Sequence, residues 1–450
     1  MNLLKRIFSP TSLTISILLL IYTFYQSEIV WNSLNRSYYN YYYLISLILI
    51  CFSTITFFIN DKKKEYLIIS VISLLFSLYL FEGYLVHQNL KELNYGFTLK
   101  KFIEKQDDNQ WDKRGKYDIY KDLKKKNSKV TLSFRPSVLV DENHSTLPFP
   151  LSGLSNSETI NCNENGYYQI YQSDRYGFNN LDKQWDENEI EYLLVGDSFV
   201  HGQCVNRPND ISSVLRNLSN KSVLNLGMSG NGPLIEYATL REYLNTNVKK
   251  VLWIYDERTD ANKDIYDEKK NAILIKYLND LNFTQNLKSK QNESDKFIIN
   301  YLKKAEESFE KKRENKKKKM FIVELIKSIK LYNLRISIKP FKDPLPPKEF
   351  KQILELTKKL VEENNSKLYF VYLPELTRYI PSSRFDETTN NYNLIKNIVT
   401  EMKIPFIDIH KEVFEKEKNP LKLFPFEIFI HYNVEGYKKV SETIYKFTKD

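Results

Sequence analysis

The sequence predicts an α/β domain, built on a parallel sheet with helices on both faces, behind three membrane-spanning helices. Three observations lead there. From residue 190 onward, short apolar runs alternate with helical patterns, the signature of a covered parallel sheet. The first of those runs stops at Gly196-Asp197-Ser198, ahead of a helix, which is where open α/β sheets place ligands. The first ninety residues hold three apolar segments, each of about the length a helix needs to cross a bilayer.

The apolar segments cover residues 12–31, 41–59 and 66–86. The first is weakened by Gln26 and Glu28 near its end, and Glu82 is the charge within the third. Trp31 and the tyrosines of 38–43 occupy the positions of interfacial aromatics. No small-residue cleavage site follows the first segment, so it is expected to remain as an anchor. Lys5 and Arg6 precede it, Lys62, Lys63 and Lys64 lie between the second and third, and the other connection has only Arg36. Basic residues stay on the cytoplasmic side. The N-terminus is therefore expected in the cytoplasm, and everything after about residue 87 beyond a bacterial inner membrane, in the periplasm or on the outer face. The expected division is a three-helix anchor over 1–90, a linker or stalk over 91–159, and a folded domain over 160–450 with a helical insertion at 262–345.

The chain has 450 residues and a net charge of +10 spread along its whole length. No zinc-finger or RNA-recognition pattern accompanies that charge, which argues against nucleic acid as a partner. Clustered His/Cys spacings of a zinc site are absent as well, and no metal or organic cofactor is implied. Of three cysteines, Cys51 lies in an apolar segment, whereas Cys162 and Cys204 lie beyond the membrane. An oxidising compartment lets these two form a disulfide.

Residues 88–135 are polar and Lys-rich, and loops dominate 136–165. A short alternating strand is expected over 166–171, and the turn-rich stretch 174–180 opens the folded domain. Strands are expected over 192–195, 222–226, 250–255, 367–373 and 405–409. The helices between and after them cover about 234–245, 348–364, 390–402 and 434–447. Within the insertion, the Lys-rich run 311–319 reads as a solvated helix face.

Ser198 follows the first strand, and a helix N-terminus behind it favours developing negative charge. Gly230, in the loop after the second strand, offers a backbone N–H to an oxyanion. The third loop carries Asp256-Glu257-Arg258-Thr259-Asp260. His431, in an aromatic setting just before the last helix, suits a base beside a nucleophile.

GDSFVHG, NLGMSGNGP and HYNVEGY, in that order, resemble the first, second and fifth sequence blocks of the SGNH/GDSL hydrolase superfamily, over roughly residues 160–450. The resemblance implies a three-layer α/β/α flavodoxin-like domain that hydrolyses or transfers acyl esters. It implies Ser198 as nucleophile, the Ser198 and Gly230 N–H groups as oxyanion donors, His431 as general base, and a structural role for Asp197. Two positions depart from the pattern. Thr259 stands where the third block has an Asn that supplies another oxyanion donor; its hydroxyl is expected to donate in that place with a shorter reach, and losing such a donor altogether costs on the order of 10²–10³ in rate. Ile428 stands where the fifth block has an Asp three residues before the His, with Glu427 beside it. Glu427 or a backbone carbonyl then orients His431, or the site is a Ser–His dyad. The expected activity is that of a membrane-anchored serine esterase or O-acyltransferase, with acyl groups of surface polysaccharide as substrate. The competing reading is a binding or scaffold protein of the cell envelope that keeps the fold without the chemistry.

Overall fold

The computed structural model describes residues 2–449 apart from 32, 34–35, 93–98, 100–101, 108–109, 245–246, 259–263, 339–345 and 381–387. The chain divides into two compact units, Met1–Phe97 with Lys311–Pro344, and Thr98–Glu310 with Leu345–Asp450.

In the first unit, α1 (Asn2–Phe24), α2 (Arg36–Ile55) and α3 (Asp61–Glu92) are long and apolar enough to cross a membrane. Their Leu, Ile and Phe side chains are largely exposed, as a lipid-facing surface requires. Small polar residues line the α1–α2 contact: Ser16 and Ser53 hydroxyls lie 3.2 Å apart and Ser9 donates to the Thr56 carbonyl. Such residues let apolar helices approach closely. The charges that weaken the apolar segments are compensated. Glu28 accepts from Arg36, Ser33 and Ser27. Glu82, almost fully buried, accepts the Asn333 and Leu334 N–H groups at 3.0 and 2.8 Å and the Asn333 amide at 2.9 Å. The expected insertion at 262–345 thus does not form one body. Its last part returns to the apolar helices because a carboxylate there needs donors.

The second unit is organised by five parallel strands, β4 (Ile190–Gly196), β5 (Val223–Asn225), β6 (Val248–Asp256), β7 (Lys367–Leu373) and β8 (Phe406–Asp408), in the order β5-β4-β6-β7-β8. This is the flavodoxin-like order, with its switch point between β4 and β6. The register pairs Leu194 with both Asn225 and Leu252. Alternation sends Leu193 and Val195 to one face and Tyr192 and Leu194 to the other. The first face packs on α6 (Pro233–Tyr243), α9 (Lys348–Glu363) and α10 (Thr388–Glu401), through residues such as Leu240, Phe350 and Ile395. The second packs on α5 (Ile211–Ser219) and α11 (Val434–Thr448), through Leu215, Tyr437 and Val440. The architecture is a three-layer α/β/α sandwich.

Residues 91–159, expected as a linker or stalk, correct that reading where they are described. Helix α4 (Lys116–Lys124) and β1 (Val130–Leu132) pack with β2 (Glu158–Ile160), which pairs parallel to β1 and antiparallel to β3 (Ile170–Gln172). Phe134, Leu139, Phe149 and Leu151 are buried in the main core. High charge hid these spaced apolar residues in a composition argument. Helix α7 (Gln291–Ile329) begins in the second unit and ends in the first, and α8 (Tyr332–Ile338) follows it. The Lys311–Lys319 side chains lie outside the described residues.

Replacing Glu82 by Ala leaves the first N–H groups of α8 without their acceptor at a buried position. The detergent-solubilised protein is expected to lose about 2 kcal/mol of stability, read as a lowered midpoint of thermal unfolding, with Glu82→Gln intermediate.

Candidate active site

The strand β4 ends at Gly196, where a side chain would collide with Val200 and the Ile254 carbonyl. That lets the chain turn tightly and present Ser198 just past the switch point. Asp197 holds the turn: its Oδ1 accepts the Phe199 N–H at 2.9 Å. The Ser198 hydroxyl lies 2.9 Å from His431 Nε2 and 2.9 Å from Asp197 Oδ2. One hydroxyl proton serves only one of these acceptors. With neutral His431 it bridges to Nε2; with His431 protonated, Nε2–H donates to the serine oxygen and the hydroxyl turns to Asp197.

The sequence around His431 is explained residue by residue. Tyr432 is fully buried and donates to the Pro374 carbonyl at 2.6 Å. Asn433 caps α11, its side chain accepting the Gly436 N–H at 2.9 Å. Gly436 sits against the Leu423 carbonyl, which a Cβ would approach to 2.5 Å. Tyr437 reaches across and donates to the Gln203 carbonyl in the serine loop at 3.1 Å.

The acid that orients His431 is neither Glu427 nor a backbone carbonyl. Glu164 Oε1 lies 2.9 Å from His431 Nδ1, and its Oε2 accepts the His431 backbone N–H at 3.1 Å. Glu427 is exposed, has a left-handed φ of 62°, and bonds the Asn419 amide at 3.2 Å. Burial pushes the Glu164 carboxyl up, but the charge and hydrogen bonds of His431, together with Arg258, outweigh it and hold the group below the usual carboxylate range. Sequence reasoning looked for the acid immediately before the histidine and so missed a residue far upstream. The available signal was the adjacency of Glu164 to Cys162.

Cys162 and Cys204 are paired, with Cα atoms 5.1 Å apart, inside the range a disulfide spans. The same contact is reinforced by Gln169, whose side chain accepts the Cys204 N–H at 3.0 Å and donates to the Gly202 carbonyl at 2.8 Å. Asn165 donates to the Cys204 carbonyl at 2.9 Å. The segment carrying Glu164 is thereby fastened to the loop carrying Ser198. Glu164, Cys204 and His431 cluster closely, but a disulfide sulfur is no thiolate ligand, so this trio lacks the donor set of a metal centre.

The β5–α6 loop closes on the serine turn. Asn225 bonds the Val200 carbonyl through its side chain, and Gly227 leaves no room for a Cβ against Val200 and the His201 N–H. Gly230 has φ 76°, a conformation that favours glycine. Neither the Ser198 nor the Gly230 N–H makes a hydrogen bond among the described residues. Beside Gly230, the buried Asn231 amide also lacks a partner there. Thr259 lies outside the described residues. Its neighbour Glu257 is structural, accepting from Tyr372, Arg378 and the Glu375 N–H.

His201, fully buried behind this loop, lies 3.0 Å from both the Ser229 and Tyr171 hydroxyls. Burial, then the charge of Lys116, pushes its imidazole down to about 4. The unfolded chain therefore takes up a proton that the native protein refuses between about pH 6.5 and 4. Stability falls as pH falls through that window, by about 3 kcal/mol in total. His201→Asn is expected to flatten this part of a stability–pH profile measured by denaturant unfolding. Separately, Cys162→Ser with Cys204→Ser is expected to cost about 2–4 kcal/mol, seen as a lower unfolding midpoint that reductant no longer changes.

No protein-family model matches the sequence, and a search of curated proteins finds no match. Among solved structures the chain is similar to a member of the lipolytic protein G-D-S-L family from Veillonella parvula, at 13% identity over 58% of this chain and 100% of that one, with a TM-score of 0.30. It is also similar to the acetyl xylan esterase AlAXEase, at 11% identity over 57% and 99%, TM-score 0.32. A third is a carbohydrate acetylesterase family member from Sinorhizobium meliloti, at 10% identity over 58% and 98%, TM-score 0.28.

Proposed function

We propose that this protein is a membrane-anchored serine esterase or O-acyltransferase of the SGNH/GDSL type. The observation that carries the reading is the unbroken relay from Glu164 through His431 to Ser198, with both links at 2.9 Å. Glu164 fixes the Nδ1–H tautomer and leaves the Nε2 lone pair facing the hydroxyl. Ser198 Oγ attacks an ester carbonyl while Nε2 takes its proton. The tetrahedral oxyanion is stabilised by the Ser198 and Gly230 N–H groups. Collapse expels the alcohol, which receives the proton from His431, and leaves an acyl-serine. Water or an acceptor hydroxyl then attacks the acyl-serine, again losing its proton to His431, and collapse breaks the acyl–Oγ bond, returns that proton to Ser198 and releases the acid or the new ester. Asn231 is a candidate for the third donor that Thr259 was expected to replace weakly, since its buried amide has no other partner among the described residues.

The loop charges and the Cys162–Cys204 pair support an extracytoplasmic site. O-acyl groups of surface polysaccharide are the substrate class that suits that compartment. The scaffold reading rests on two departures, Thr259 and the missing Asp before His431, and the intact relay weighs against the second of them.

A fluorophosphonate probe is expected to label the purified full-length protein at Ser198 and not Ser198→Ala. With p-nitrophenyl acetate, Glu164→Gln is expected to lower kcat by on the order of 10²–10⁴, while Glu427→Gln leaves it within about twofold of wild type. An unlabelled wild type, or equal loss in the two glutamate variants, would count against the proposal.

A further inference from the structure

The first two apolar helices, the turn between them and the returning segment line a cavity of about 460 Å³. One wall is aromatic, formed by Tyr22, Trp31, Tyr38 and Tyr42. Three cations line it, Lys327, Lys330 and Arg335, and among the described residues no carboxylate does. Lys330 donates to the Tyr22 hydroxyl at 2.6 Å and sits 4.8 Å above that ring. The Arg335 guanidinium stands 5.5 Å over the Tyr42 ring, and its Nε–H is buried with no hydrogen-bond partner. Rings offer Lys330 and Arg335 only partial compensation, and basic groups at headgroup level attract anionic lipid.

We propose that this cavity binds the phosphate-bearing headgroup of an anionic lipid. The site size fits: headgroups of this kind match cavities of a few hundred Å³. The charge fits as well, since a phosphodiester accepts from several Lys and Arg donors at once. The remaining lining includes Leu19, Val323 and Ile326, surface that glycerol and the first methylenes of acyl chains cover and a free phosphate leaves bare. Interfacial aromatics at the turn between α1 and α2 put the cavity at headgroup level. The lysines and arginine come from the insertion, so lipid occupancy would hold that segment against the apolar helices.

Trp31 is a built-in reporter. The full-length protein in phosphatidylcholine nanodiscs would be titrated with phosphatidylglycerol carrying brominated chains, using Trp31→Phe to isolate the Trp31 signal. Saturable quenching is expected, with brominated phosphatidylcholine several-fold weaker. Lys330→Gln and Arg335→Gln should each weaken the apparent affinity about fivefold, and Arg335→Lys should retain most of it. Unchanged thermal unfolding would separate lost binding from lost folding. Equal quenching by the two lipids, or unchanged affinity in folded Lys330→Gln and Arg335→Gln, would overturn the proposal. Displacement of the lipid by inorganic phosphate would overturn it too, since the cavity would then be a small-anion site.

Discussion

The arrangement depends on one constraint, the fastening of residues 161–169 onto the loop after β4. Glu164 is useful to His431 only at a fixed place, yet it belongs to a short irregular segment with no helix or long strand to position it. The Cys162–Cys204 bond, Gln169 and Asn165 supply that fixity from the other side of the serine loop. Tyr437 then ties the same loop to the helix that follows His431. Ser198, His431 and Glu164 thus meet because two separate stretches, residues 162–169 and the last helix, are bonded to residues 202–204, rather than because one element carries them all.

The chain order of the relay, Glu164, Ser198, His431, places the carboxylate before the serine. Geometry and role define such a site, not sequence order. Glu164 meets both the ring and the backbone N–H of His431, so it positions the main chain as well as the tautomer. A carboxylate immediately before the histidine would have to fold back to do the same, and Glu427 points elsewhere.

The sheet was legible in the sequence because its strands are apolar runs buried on both faces, and strands of that kind need no long-range information to be seen. Ser198, Gly230 and His431 were legible because each sits at a strand end or a helix start marked by glycine or an N-cap. Glu164 was not, since nothing local distinguishes it from other surface acids; only the disulfide beside it hints at its place. The stalk was misread for a related reason. Phe134, Leu139, Phe149 and Leu151 are spaced too irregularly for a periodicity argument, and their partners lie far along the chain. The turn-rich stretch 174–180 likewise gave no clue to its work. Asp174 gathers the Tyr176 and Phe178 N–H groups, the Asn180 amide and the Trp185 ring, and Asn180 in turn bonds both backbone groups of Asn225.

The bond between Glu82 and the start of α8 also has a temporal side. A ribosome emits the chain from its N-terminus at about 5–20 residues per second. Glu82 is therefore made while its partners, Asn333 and Leu334, are still unmade, separated by 251 and 252 positions. For roughly 10–50 seconds the third apolar helix carries a carboxylate without its native donors. The three apolar helices are consequently the first part of the protein to be synthesised and among the last to reach their final form.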